Sequence, residues 1–158
     1  MQTSTQTSTE NSIEKQIEIA APLTRVWRAL TDFRQFGEWF QVLLEGPFIA
    51  GKAVGGKLTF PGYEHVRMDV EVKTIEPETY FSYTWHPNSN DPTVDYTKET
   101  PTLVEFRLAP TKTGTSLTLI ESGFDKIPSD RQAQAFRANT RGWDHQLKSL
   151  ESYVSKAS

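Results

Sequence analysis

The sequence predicts an α+β fold, a curved antiparallel sheet of about seven strands wrapped around a long C-terminal helix, with two short helices after strand 1. Three observations predict it. Apolar residues alternate with polar ones in a series of short segments from Val42 to Ser122, separated by turn residues. A single such segment, followed by two short helical patterns, precedes them. The last segment carries one apolar stripe in which Phe136, Trp143, Leu147, Leu150 and Val154 step by seven, four, three and four.

Order is expected to begin at Ile13, with residues 1–12 a disordered polar tail and 13–158 a single domain. Ile13, Ile17 and Ile19 alternate with polar residues as in a half-buried strand. Ala21-Pro22 ends it, and Pro22 suits a first helical turn. Val26, Trp27 and Leu30 recur at helical spacing, Thr31-Asp32 breaks the pattern, and Phe33, Phe36, Trp39 and Phe40 mark a second short helix that is expected to stop around Gly37.

Val42 to Leu44 and Val54 to Phe60 are the next strands, with Gly55-Gly56 read as a hairpin turn. His65 to Ile75 puts Val66, Met68, Val70 and Val72 on one face, and Tyr80 to His86 puts Phe81, Tyr83 and Trp85 together. Pro87 to Pro101 is a long polar loop, either a binding element or an inert insertion. Leu103 to Leu108 and Thr115 to Ser122 flank a turn at Lys112-Thr113-Gly114. Ser129 followed by Gln132 has the spacing of a capping box at the start of the last helix. Ala135, Ala138 and Gly142 form a line of small residues, and Gly142 is expected to permit a close approach to another element.

A sheet that curves around one helix does not meet it along its whole length, so a pocket is expected between them. The stretch GKAVGGKLTF, Gly51 to Phe60, nearly spells a phosphate-binding loop. That loop needs Ser or Thr after Gly-Lys and a helix to follow, whereas here Leu58 follows and the chain runs on as a strand. Nucleotide binding is therefore not expected. The net charge of −3 gives no argument for nucleic acid, and no apolar run is long enough for membrane insertion. Cysteine is absent, which fits a reducing compartment, and the expected location is cytoplasmic.

The residues Ile19-Ala20-Ala21-Pro22, Val26-Trp27-Arg28-Ala29-Leu30-Thr31-Asp32 and Trp39-Phe40 resemble the N-terminal signature of START-like (SRPBCC-type) helix-grip proteins. More narrowly they resemble the bacterial branch named after the activator of the heat-shock-protein-90 ATPase. Gly55-Gly56, Gly114-Thr115 with Leu117, Glu121 with Gly123-Phe124, and Gly142-Trp143 are similar to the same branch, over Ile13 to Val154. The resemblance implies the helix-grip fold. Members of the superfamily bind lipids, hormones or polyketides, and some catalyse cyclisation or hydrolysis. The branch often carries His where this chain has Glu121.

His65, His86 and His145 form no local metal-binding pair, so no metal is expected, and no cofactor either. Asp144-His145 lies beside inward-facing Trp143 on the helix and is expected to face solvent. Alternation after Leu117 and Leu119 turns Glu121 inward, where it needs a partner or a raised pKa, unless the strand twists open there and Glu121 reaches water, or it pairs structurally with an Arg. The candidate ligand-binding residues on the short helices and first strands are Trp39, Phe40, Phe60 and Met68. Those on the later strands and the last helix are Tyr83, Trp85, Phe106, Glu121, Phe136 and Trp143. The expected function is binding of a small, mostly apolar or aromatic molecule between sheet and helix. Two rivals stay open, an enzyme using Glu121 as general acid or base and a chaperone-associated protein-interaction module. Ligand identity and oligomeric state are not legible in the sequence.

Overall fold

The computed structural model describes residues 12–87, 89, 91 and 93–156. The polar tail expected over 1–12 lies outside them, apart from Ser12, which opens the first strand. The strands are β1 (Ser12–Ile19), β2 (Val42–Leu44), β3 (Ala53–Leu58), β4 (Arg67–Glu76), β5 (Tyr80–Trp85), β6 (Thr102–Pro110) and β7 (Thr115–Ser122). The α-helices are the short α1 (Leu23–Thr31) and α2 (Phe33–Phe40) and the long α3 (Ser129–Lys156), with single 3-10 turns at Tyr96–Lys98 and Phe124–Lys126. All strands join one antiparallel sheet in the order β1-β7-β6-β5-β4-β3-β2. The fold is the α+β helix-grip arrangement. A bulge on β4 between Val72 and Thr74 shifts the register against β5 and adds to the bend of the sheet.

The alternating residues explain which face meets α3. On β7, Thr115, Leu117, Leu119 and Glu121 point inward and the residues between them outward. On β4 the buried set is Met68, Val70 and Val72. From α3, Trp143, Leu147, Leu150 and Val154 enter the same core, each side chain contributing roughly 1.5–3 kcal/mol by leaving water. Phe136 stands off this stripe, half-buried against Phe124 at 5.4 Å between ring centres, and fully buried Ala135 takes its place. On β1, Lys15 shares the inward face with the isoleucines. It is buried and ion-paired to Asp144 Oδ1 of α3 at 2.9 Å. The alternation of β1 places it there, although its chemistry alone would put it outside.

Three local expectations are corrected. Helix α2 does not stop at Gly37 but continues to Phe40, and Gln41, at φ 69°, terminates it in the left-handed conformation. Gly37 serves the packing of β2, because a Cβ there would lie 2.4 Å from the Val42 carbonyl oxygen. Gly55-Gly56 is not a turn. Both residues lie within β3, where Gly55 pairs with Asp69 and Gly56 with Met68. A Cβ on Gly56 would stand 1.8 Å from the Leu43 carbonyl oxygen, so the glycines admit neighbouring strands. At the start of α3, Gln132 does not close a capping box on Ser129. Its amide donates to the carbonyls of Asp125 and Ile127 and ties the preceding turn to the helix.

The helices dock through the ends of their backbones. Asp32 caps α2 by accepting from the Arg34 and Gln35 amides. The carbonyls that α2 leaves open at its C-terminal end accept from α3, Trp39 from Ser149 Oγ at 2.6 Å and Phe40 from Gln146 Nε2 at 3.2 Å. This fixes the aromatic end of α2 beside the middle of α3, at the mouth of the gap between helix and sheet.

Candidate functional site

A cavity of about 720 Å³ opens between α3, the β3–β5 part of the sheet and the loop after β5. Its apolar wall is Phe40 from α2, Leu58 from β3, Met68 from β4, Trp85 from β5 and Trp143 from α3, with Val66 beside them. The Phe40, Trp85 and Trp143 rings meet in a corner, with centres 6.0, 6.2 and 5.7 Å apart pair by pair. The α3 side of the cavity is Ala138, Asn139, Gly142 and Gln146. Gly142 does not allow a close approach, contrary to expectation. A Cβ there would meet nothing within 4 Å. Together with Ala138, it leaves room for the cavity.

The rim is polar. His65, Arg67 and Asp69 come from the approach to β4 and its first residues, and His86, Asp91 and Asp95 from the chain after β5. The described part of the long loop also supplies Ser89, Val94, Tyr96 and Thr97 to the wall. The loop is fastened by Arg131 of α3. This side chain holds Glu99 through several hydrogen bonds between 2.6 and 3.2 Å, donates to the Pro87 carbonyl at 3.1 Å, and lies over the Tyr96 ring at 4.8 Å. Asp91 and Asp95 each accept from the backbone and hydroxyl of the threonine two residues on. The bonds from Thr93 hold the Asp91 carboxyl below the usual carboxylate range.

Glu121 lies one residue behind this wall, fully buried. Its Oε1 accepts from Trp143 Nε1 at 2.8 Å and Asn139 Nδ2 at 2.9 Å. Its Oε2 accepts from Trp85 Nε1 at 2.8 Å and Thr102 Oγ1 at 2.6 Å. Burial pushes the carboxyl up from its ordinary value, and the four hydrogen bonds oppose that. Indole and amide N–H groups cannot accept a proton in return, so the donor set suits the ionised carboxylate. The alternatives left open for Glu121 are thus resolved in favour of burial with partners. Those partners are neutral donors rather than an arginine.

Of the ten expected ligand-binding residues, the structure gathers Phe40, Met68, Trp85 and Trp143 around the cavity. Glu121 holds two of them from behind. Trp39 is buried with its indole N–H on the Ala29 carbonyl at 2.8 Å. Tyr83 and Phe106 are fully buried in the sheet's core layer, where the Tyr83 hydroxyl has no hydrogen-bond partner and burial, with the Glu121 charge, pushes its pKa well up. Phe136 packs on Phe124. Phe60 is exposed at the edge of the site, beside Tyr63 and His145 at 5.6 and 5.8 Å. Asp144 and His145 face outward as expected.

Sequence reasoning did not assign His65, His86, Asn139 or Gln146 to the site. The line of small residues Ala138 and Gly142 was the available signal for the α3 side. His86 presents a ring whose Nδ1 is buried without a partner. Burial lowers its pKa, with Arg131 acting in the same direction and Glu99 and Asp95 against it. Among the described residues, no group of three or more His, Asp or Glu side chains could hold a metal ion, and no helix is long and apolar enough to cross a membrane.

The fold has counterparts among known proteins. The protein MLL2253 of Mesorhizobium loti is 28% identical with a TM-score of 0.74, over 93% of this chain and 98% of that one. A protein of Arthrobacter aurescens, with a TM-score of 0.75 at 19% identity over 97% and 92% of the two chains, shares the fold. DynU16, described as a putative protein in the dynemicin biosynthetic locus, matches at 23% identity and a TM-score of 0.69 over 92% of this chain and 47% of its own, so the likeness covers about half of it. No functionally curated protein matches the sequence. The model of the Activator of Hsp90 ATPase homolog 1-like protein family matches residues 20–155, and the chain belongs to that family.

Proposed function

We propose that this protein binds a small, mostly apolar ligand with an aromatic part in the cavity between the sheet and α3. The observation that carries the reading is the aromatic corner of Phe40, Trp85 and Trp143 opening on about 720 Å³ of space, with Gly142 leaving its α3 wall bare. A volume of this size is within the range of small-molecule sites, which pair apolar walls with a few polar groups. In this reading Glu121 is a positioning residue. Both its oxygens are committed to four donors and it contributes nothing to the cavity surface, so proton exchange with a ligand would require dismantling the support of Trp85 and Trp143. That arrangement favours a carrier or sensor over an enzyme that uses Glu121 as acid or base.

Native mass spectrometry of the purified protein, followed by titration with the neutral dye N-phenyl-1-naphthylamine, tests the reading. A co-purified small molecule, or saturable dye binding lost in a cavity-filling Gly142→Leu variant of normal stability, is the expected result. Absence of both, or dye binding indifferent to Gly142→Leu, would overturn it.

A further inference from the structure

The charges around the cavity are unequal. Its described lining residues include three carboxylates, Asp69, Asp91 and Asp95, and a single guanidinium, Arg67, and of these Arg67 and Asp69 alternate with inward Met68 onto the exposed face of β4 and pair with each other. Arg67 is already committed. It makes two hydrogen bonds to Glu45, at 2.9 and 3.2 Å, and two to Asp69, to Oδ1 at 3.0 Å and Oδ2 at 3.4 Å. No other Lys or Arg is among the described lining residues. Arg131, which fastens the loop, is paired to Glu99. A ligand carboxylate, sulfonate or phosphate would therefore enter without an available Lys or Arg and against the carboxylates of Asp91 and Asp95, Asp69 being paired to Arg67.

The aromatic corner adds to this asymmetry. The carboxylate of Glu121 lies directly behind it and accepts both indole N–H groups, and all four of its hydrogen-bond donors are neutral. Its charge is uncompensated by any cation in contact among the described residues, and two indole rings and the Asn139 amide stand between it and the cavity. Hydrogen bonding of an indole N–H to an anion pushes electron density into the ring, and the face of an electron-rich indole attracts cations. In a site of low dielectric, that charge acts at longer range than it would in water.

We propose that the cavity selects a planar aromatic ligand carrying a positive charge, a protonated amine or a quaternary ammonium, over a neutral or anionic ligand of the same shape. The inference rests on the cavity being the binding site and adds the charge class of its occupant. The aromatic body packs against Met68, Leu58 and the indoles, and the cationic centre sits between the aromatic corner and the acidic rim. Asp95, capped by its own Thr97 amide and hydroxyl, offers a fixed negative charge there.

Three probes with the same naphthalene body test this: 2-naphthylmethyltrimethylammonium, 2-naphthylmethanol and 2-naphthoate, each titrated calorimetrically at low and high salt. The cation is expected to bind about tenfold more tightly than the alcohol, the scale of a desolvated cation–π contact, and the carboxylate more weakly than either. Asp95→Asn, whose side-chain oxygen can still accept from the Thr97 amide and hydroxyl, should reduce the preference for the cation over the alcohol. Gly142→Leu should abolish binding of both. Equal affinity for cation and alcohol, or tighter binding of the carboxylate, would overturn the charge inference while leaving the cavity reading in place. Cation binding that survives Gly142→Leu would place it on the acidic surface outside the cavity and overturn the inference. Failure of all three probes to bind the wild-type chain would overturn both.

Discussion

Trp143 donates its indole N–H to Glu121 Oε1 at 2.8 Å, so that the central tryptophan of the last helix is hydrogen-bonded to the last strand of the sheet. Only 2% of Trp143 is exposed, although it borders the cavity. Trp143→Ala is therefore expected to cost the full amount for a large aromatic core residue, about 3–5 kcal/mol. Trp143→Phe keeps most of the ring contact but leaves Oε1 one donor short, at a cost of about 1–3 kcal/mol. Chemical denaturation of both variants measures the difference. A loss below 1 kcal/mol for the alanine variant would show that the tryptophan is not integral to the core.

The pH dependence of stability reports on Glu121. Its pKa is raised in the folded chain, chiefly by burial. The folded state thus holds the proton more tightly than the unfolded one, and the contribution of Glu121 to stability falls as pH rises from the ordinary carboxylate value through the raised one, then levels off. The stability difference between wild type and Glu121→Gln, followed by thermal melts from acid to neutral pH, should fall with rising pH and then become flat. A difference that grows with pH in that window would mean that the four donors outweigh burial.

Two glycines should respond to the same substitution with opposite sign. Gly142→Ala adds a methyl group to open space inside a helix and should stabilise the chain by about 1 kcal/mol, the helix-propensity difference. Gly56→Ala drives a methyl group into the Leu43 carbonyl and should destabilise by about 1–3 kcal/mol or more. Urea midpoints of the two variants are the measurement, and a destabilising Gly142→Ala would indicate crowding at α3 that the structure does not contain.

Arg131 fastens the loop wall of the cavity. Arg131→Gln should raise hydrogen–deuterium exchange of the amides in 93–99, where the Glu99 pair and the Tyr96 ring contact are lost, while amides in the β6–β7 ladder keep their protection. Unchanged exchange in 93–99 would show that the loop is held by its internal Asp91 and Asp95 turns alone.

Local periodicity made the architecture legible. The period-two segments and the stripe through Trp143, Leu147, Leu150 and Val154 each follow from backbone geometry at short range. Gly55-Gly56 misled because glycine pairs favour turns locally, whereas here the deciding contact is the Leu43 carbonyl of another strand. The inward direction of Glu121 was readable from alternation, but its partners were not. They lie 18, 19, 22 and 36 residues away on α3, β6, α3 again and β5, and no local pattern encodes which donors meet it. The same holds for the polar rim, which is assembled from the start of β4 and the loop after β5 by the sheet's curvature.

The pairing of β1 with β7 sets the order in which the chain can become native. Gln16 meets Ser116 across a separation of 100 residues, so the first strand waits for the seventh before it has a neighbour. During synthesis the chain would emerge from the N-terminus with its opening strand unpaired, and α3, which covers the sheet's apolar face, would come last. Closing so long a loop is slow relative to local helix formation. Until it closes, the inner faces of β4 to β7 lie open to other chains, and the growing polypeptide has its greatest need of protection from aggregation just before its final helix is complete.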